Sequence, residues 1–162
     1  MTENITVTIT TPTDREAVIT RAFAAPATLI FDALTKPELI KRWYGPEGSI
    51  ESCESDARPG GAWRFVSNVR GKQIVQFGIY TEVAAPYRFV RTERWEDWDP
   101  GETLVTLDLV EDHGKTTMTQ RITFPSQEVR DVVMKGGLTP KSTSEFYERL
   151  EGLLVSLARE TF

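Results

Sequence analysis

The run RFVRTERWE, Arg88 to Glu96, interleaves charged and aromatic residues. On a strand, Phe89, Arg91, Glu93 and Trp95 share one face, and Val90, Thr92, Arg94 and Glu96 share the other. The two aromatics turn the first face inward. Arg91 and Glu93 are then charges inside, or at the lip of, an apolar interior, where an unpaired charge is costly or shifts its pKa until it neutralises. Two chemistries fit. Both side chains could be the polar hooks of a ligand pocket, with Glu93 as a candidate general base whose pKa burial raises. The plain alternative is a structural ion pair at a barrel rim, or an outward-facing pair if the strand bulges.

Other constellations drop out. The single Cys53 forms no internal disulfide, and the single His113, in EDHGK, sits at a predicted hairpin tip. Neither a zinc cluster nor a cysteine-histidine dyad is expected, and no metal or cofactor is assigned. The glycines of DARPGGAW lack the lysine and helix of a phosphate loop, and RWEDWDPGE lacks the regular oxygen spacing of a calcium loop. Nineteen basic against 24 acidic residues leave a net charge of −5, which disfavours nucleic acid as a partner. The polar start MTENITVTIT and the lack of a long apolar run suggest a cytoplasmic chain without a membrane span.

The elements that must position Arg91 and Glu93 follow from pattern. Ile5, Val7 and Ile9 alternate with threonines, so residues 1–14 read as an extended arm able to pair with a sheet edge of its own or a neighbouring subunit. Residues 15–162 read as one domain. AVITRAF is a strand, and a helix across Leu29, Ile30, Ala33 and Leu34 is broken at Lys36-Pro37, after which a second short helix runs through Trp43. Trp43 continues Leu39 and Ile40 and should plug the core end, while Gly45-Pro46 turns the chain. Six strand-like runs follow, separated by turn chemistry. Parity sends Trp63 with Phe65, Val75 with Phe77 and Ile79, Val105 with Leu107 and Leu109, and Met118 with Gln120 and Ile122 inward. Gly136-Gly137 then separates a short helix from a long one, capped by Thr139-Pro140. Its apolar stripe is Phe146, Leu150, Leu153, Leu154 and Leu157.

This order resembles the helix-grip fold of the START-like (SRPBCC) superfamily, which includes the birch-pollen-allergen group. The expected architecture is α+β: a curved antiparallel sheet of about seven strands around a long C-terminal helix, with two short helices after the first strand. The resemblance sharpens at TRAFAAPATLIFDALTKPELIKRWYGPEG, DARPGGAWRFV, GIYTEVAAPYRFVRTERWED and FYERLEGLL. Together these are similar to the C-terminal domain of the family named for the activator of the heat-shock-protein-90 ATPase, over roughly Arg15 to Leu157. The eukaryotic activator also carries a separate N-terminal domain, for which this length leaves no room.

Three functions compete. The first is a binder of a small apolar or amphipathic molecule between sheet and long helix. Trp43, Trp63, Phe65, Phe77, Trp95, Leu107, Met118, Phe146 and Leu150 would be its walls, and Arg91, Glu93 and Gln120 would orient its polar end. The second, implied by the resemblance, is a chaperone partner that needs no pocket. The third is a cyclase- or hydrolase-like enzyme using Glu93, as the superfamily includes such enzymes. The residues favour the first, as a monomer or homodimer. A filled aromatic core is its plain alternative.

Overall fold

The computed structural model describes residues 7–46 and 49–160. Alternating apolar positions form strands β1 (Thr8–Thr10), β2 (Glu16–Phe23), β3 (Ile50–Ser55), β4 (Ala62–Val69), β5 (Lys72–Ala84), β6 (Arg88–Trp95), β7 (Thr103–Asp112) and β8 (Lys115–Thr123). Helices α1 (Ala27–Thr35) and α2 (Pro37–Trp43) follow β2, while α3 (Gln127–Gly137) and α4 (Pro140–Glu160) close the chain. The strands form one eight-stranded antiparallel sheet in the order β1-β2-β8-β7-β6-β5-β4-β3.

The strand beyond the expected seven comes from the arm: Thr8, Ile9 and Thr10 lie opposite Thr20, Ile19 and Val18 of the same chain. Ile5, the first residue of the arm's apolar alternation, lies outside the described residues.

Proline chemistry sets the helix pair. Lys36 is extended, at φ −87° and ψ 121°, and serves as C-cap of α1 and N-cap of α2, with Pro37 opening α2. Trp43 is buried at the end of α2, where its indole Nε1 donates to the Ala33 carbonyl at 2.8 Å. That bond satisfies the one polar atom of a large apolar ring. Later in the chain, Ser142 N–H donates to Thr139 Oγ1 at 3.1 Å in the expected capping role.

The long helix α4 lies on the concave face of the sheet through Thr143, Tyr147, Leu150, Leu153 and Leu154. Arg21, an inward charge on β2, reaches Glu151 of α4 at 3.6 Å and lies 4.4 Å from the centre of the Phe23 ring. It ties helix to sheet.

Strand β5 departs from its expected parity. Phe77 pairs laterally with Arg64 and Arg94, and residues paired across strands share a face, so Phe77 lies on the outer face. Ile79 follows it and is 43% exposed. Val75 is buried, yet it also belongs to the outer face, opposite Val66. The inner positions belong to Gln76, Gly78 and the fully buried Tyr80.

The cause is Trp63. Directly opposite Gly78, its indole crosses β5 to donate Nε1–H to the Thr92 carbonyl of β6 at 3.0 Å. The β5–β6 pairing is interrupted between Phe77–Arg94 and Tyr80–Arg91, which keep one register, and the Ile79 amide donates to the Thr92 hydroxyl at 3.0 Å; the register shifts only beyond, between Tyr80 and Glu82. A Cβ on residue 78 would lie 1.9 Å from the Thr92 carbonyl oxygen and 2.7 Å from the indole nitrogen. Only glycine fits there.

Gly78→Ala should therefore cost at least about 2 kcal/mol in urea unfolding, because backbone and ring must both move. Gly136→Ala in α3, where a Cβ meets nothing, should gain up to about 0.5–1 kcal/mol. Equal midpoints for the two variants would contradict this account of β5.

Candidate functional site

Between the concave sheet face, α4 and the end of α2 lies a pocket of about 570 Å³. Its floor is β6. Arg91 projects from that strand and stacks on Trp63, with the guanidinium carbon 4.1 Å from the ring centre. Phe89, Phe65 and Tyr80 surround it at 5.2, 5.6 and 5.9 Å. The rings accept part of the charge through their faces, which lowers the cost of bringing a cation inside.

Its in-plane donors are less well served. Nε is buried without a partner, and a terminal nitrogen reaches the Tyr80 hydroxyl only at 3.5 Å. Among the described residues, Arg91 and Glu93 form no ion pair within 4.0 Å, so the structural-pair alternative does not hold.

Glu93 instead accepts from Gln76 Nε2 at 3.1 Å, and Gln76 Oε1 accepts from the Tyr44 hydroxyl at 3.1 Å. The carboxyl lines the pocket, and the protein packed around it pushes its pKa up, with Arg91 and Gln76 opposing. Burial also lifts the Tyr44 phenol to about 12 and raises that of Tyr147. Tyr147 donates to Gln120 Oε1 at 2.5 Å from α4, closing the opposite wall. Edge-to-face contacts of Phe146 with Trp43, Tyr44 and Tyr147, each at 5.1 Å, form the apolar end.

Of the residues expected at the site, Trp43, Phe65, Arg91, Glu93, Trp95, Leu107, Gln120 and Phe146 line this pocket. Trp63 lies beneath it as the platform for Arg91. Met118 and Leu150 are fully buried in the core and do not line it. Phe77 belongs to the outer face, for the reason given by Gly78.

Sequence reasoning missed Tyr44, Gln76, Tyr147 and Arg149, all of which line the pocket. A stripe counted on leucines passes over Tyr147, although it falls four residues after the buried Thr143 and shares that face. Gln76 would have followed from the opposite parity on β5.

Elsewhere, Cys53 is buried, its thiol pushed up to about 11, while His113 stands exposed in the β7–β8 turn beside Asp112. Asp99 is held by Arg94 at 2.7 Å, and no group of three or more metal-binding side chains occurs among the described residues.

The profile of the family described as "Activator of Hsp90 ATPase homolog 1-like protein" matches residues 24–154, from the approach to α1 to deep within α4. The chain belongs to that family. No curated protein matches it. Solved structures do. A crystal structure from Rhodobacter sphaeroides is 27% identical, with 93% of this chain and 99% of that one covered at a TM-score of 0.84. One from Mycobacterium smegmatis is 25% identical, with 93% and 99% covered at 0.79. A third, from Nitrosomonas europaea, is 24% identical, with 92% and 99% covered at 0.80, and shares the fold. The architecture of this Activator of Hsp90 ATPase homolog 1-like chain is the helix-grip fold of the START-like superfamily. Among the described residues, no helix is long and apolar enough to cross a membrane.

The raised Glu93 pKa has a defined consequence for stability. The folded chain holds this proton to higher pH than the unfolded chain, so stability declines as pH rises from the ordinary carboxylate range through the raised folded value. Glu93→Gln removes that decline. In thermal unfolding the variant should melt above the wild type at pH 8, with the gap narrowing towards pH 4. A variant that melts below the wild type at pH 8 and matches it at pH 4 would show that the ionised carboxylate stabilises the fold.

Proposed function

We propose that the chain binds a small amphipathic molecule in the pocket between the sheet and α4. What supports this reading is the pocket's composition: apolar walls enclosing a few convergent polar groups, in a volume of about 570 Å³. That combination suits a ligand with one apolar body and one polar end. Val105, Leu107, Ile122 and Phe124 offer the apolar wall, and Arg91, Glu93 and the Tyr147–Gln120 pair offer the polar one.

The rigid parts of this wall are aromatic. Rings held edge to face do not fold into an empty space as leucines do, so the pocket does not need a ligand to stay open. Burying an apolar chain here would remove its surface from water at roughly 25 cal/mol per Å².

The family name favours a second reading, partnership with a chaperone of the heat-shock-protein-90 type. In that case the outer surface carries the function, and filling the pocket leaves it intact. An enzymatic reading would route proton transfer through Glu93. Tyr44 reaches that carboxyl only through Gln76, and its phenol is held protonated by burial. Binding is the simpler use of these groups.

Native mass spectrometry of the gently purified protein tests the proposal. A reproducible small adduct is expected on the wild type and should be lost in Leu107→Trp, whose added ring would fill the wall from β7. A clean apo mass, together with a melting temperature unmoved by added lipids and aromatics, would refute the binding reading. A stimulated chaperone ATPase that survives Leu107→Trp would support the second reading instead.

A further inference from the structure

The pocket wall has an unequal charge inventory. Its ionic side chains are Arg91, Arg149 and Glu93. Two cations thus face one carboxyl, and that carboxyl already has a donor, Gln76 Nε2 at 3.1 Å. Arg91 and Arg149 each keep a buried Nε without a partner.

Arg91 is the better placed of the two. Its flat face is satisfied by Trp63 at 4.1 Å, and the surrounding rings fix its plane. Its edge, where the N–H donors point, has only the 3.5 Å contact to the Tyr80 hydroxyl. A guanidinium stacked on its face and unspent on its edge is preorganised for a planar or tetrahedral anion, which it can grip with two parallel N–H bonds.

Resting on the binding reading above, we infer that the pocket selects amphiphiles whose polar end is an anion, a carboxylate or sulfonate, and that this end sits on the edge of Arg91. The apolar body then lies along Val105, Leu107 and Phe146. The Glu93 carboxyl, whose pKa burial raises, is already engaged by Gln76 Nε2 at 3.1 Å and is not the partner of the Arg91 edge. A neutral hydroxyl head offers the Arg91 edge one acceptor oxygen and no compensating charge. A cationic head would add a third positive charge to the wall.

Calorimetric titration of the full chain at pH 7.5 with decanoate, decanol and decyltrimethylammonium, which share one apolar body, tests this inference. Decanoate should bind at least about tenfold more tightly than decanol, with decyltrimethylammonium weakest. Arg91→Gln should bring decanoate to the affinity of decanol and leave decanol within about threefold of its wild-type value. Arg64→Gln, on the outer face, should preserve the preference and so exclude general charge attraction. The wild-type ranking decides the matter even if Arg91→Gln fails to fold. Decanol binding as tightly as decanoate, or a preference that persists in Arg91→Gln, overturns the inference and leaves the binding reading standing. If none of the three binds, both fall.

Discussion

Trp63 makes two contacts on which the interior depends. Its edge bonds to the Thr92 carbonyl of a strand two places away in the sheet, and its face carries the Arg91 guanidinium. The first contact needs the intervening strand to give way, and Gly78 supplies the space. The second converts an inward charge from a liability into a fixed feature of the floor. Without the ring, Arg91 would face an apolar interior with no ion pair and only the more distant rings of Phe89, Phe65 and Tyr80.

The rest of the site follows from that floor. With Arg91 supported from below, Glu93 does not have to serve as its partner and turns to Gln76, which Tyr44 in turn holds from the end of α2. The helix pair is therefore linked to the sheet by a hydrogen-bonded chain as well as by the burial of Trp43. On the other side, α4 lays Tyr147 against Gln120 and anchors through Glu151 to Arg21. The polar groups inside this molecule thus fall into two kinds. Arg21 spends its charge on holding an element in place, whereas Arg91 keeps donors that no side chain uses.

The sequence made the fold legible because its signals were local. Lys36-Pro37 marks the break between α1 and α2, Thr139-Pro140 marks the start of α4, and the leucine stripe marks the face that α4 buries. The inward direction of Arg91 and Glu93 was legible too, from the two aromatics that flank them. Strand β5 was not. Phe77 and Ile79 look like core residues, and Gln76 and Gly78 do not, yet the inner face goes to the second pair because of a ring on a neighbouring strand. No pattern within β5 carries that information. For the same reason Trp63 was legible as an inward aromatic but not as a platform, and Tyr147 was hidden beside a more conspicuous phenylalanine. The short strand β1 reads in the sequence as an arm, and its alternating pattern does not name the edge it joins, which in the fold is β2 of the same chain.

The central claim is that the space above Arg91 receives a ligand. NMR spectra of the labelled chain during titration with decanoate address it residue by residue. The account predicts saturable shifts of the Arg91 side-chain Nε–H and of the Leu107 and Tyr147 amides, with outer-face amides such as Phe77 unmoved. Shifts confined to the outer face, or an Arg91 signal that never moves, would contradict it.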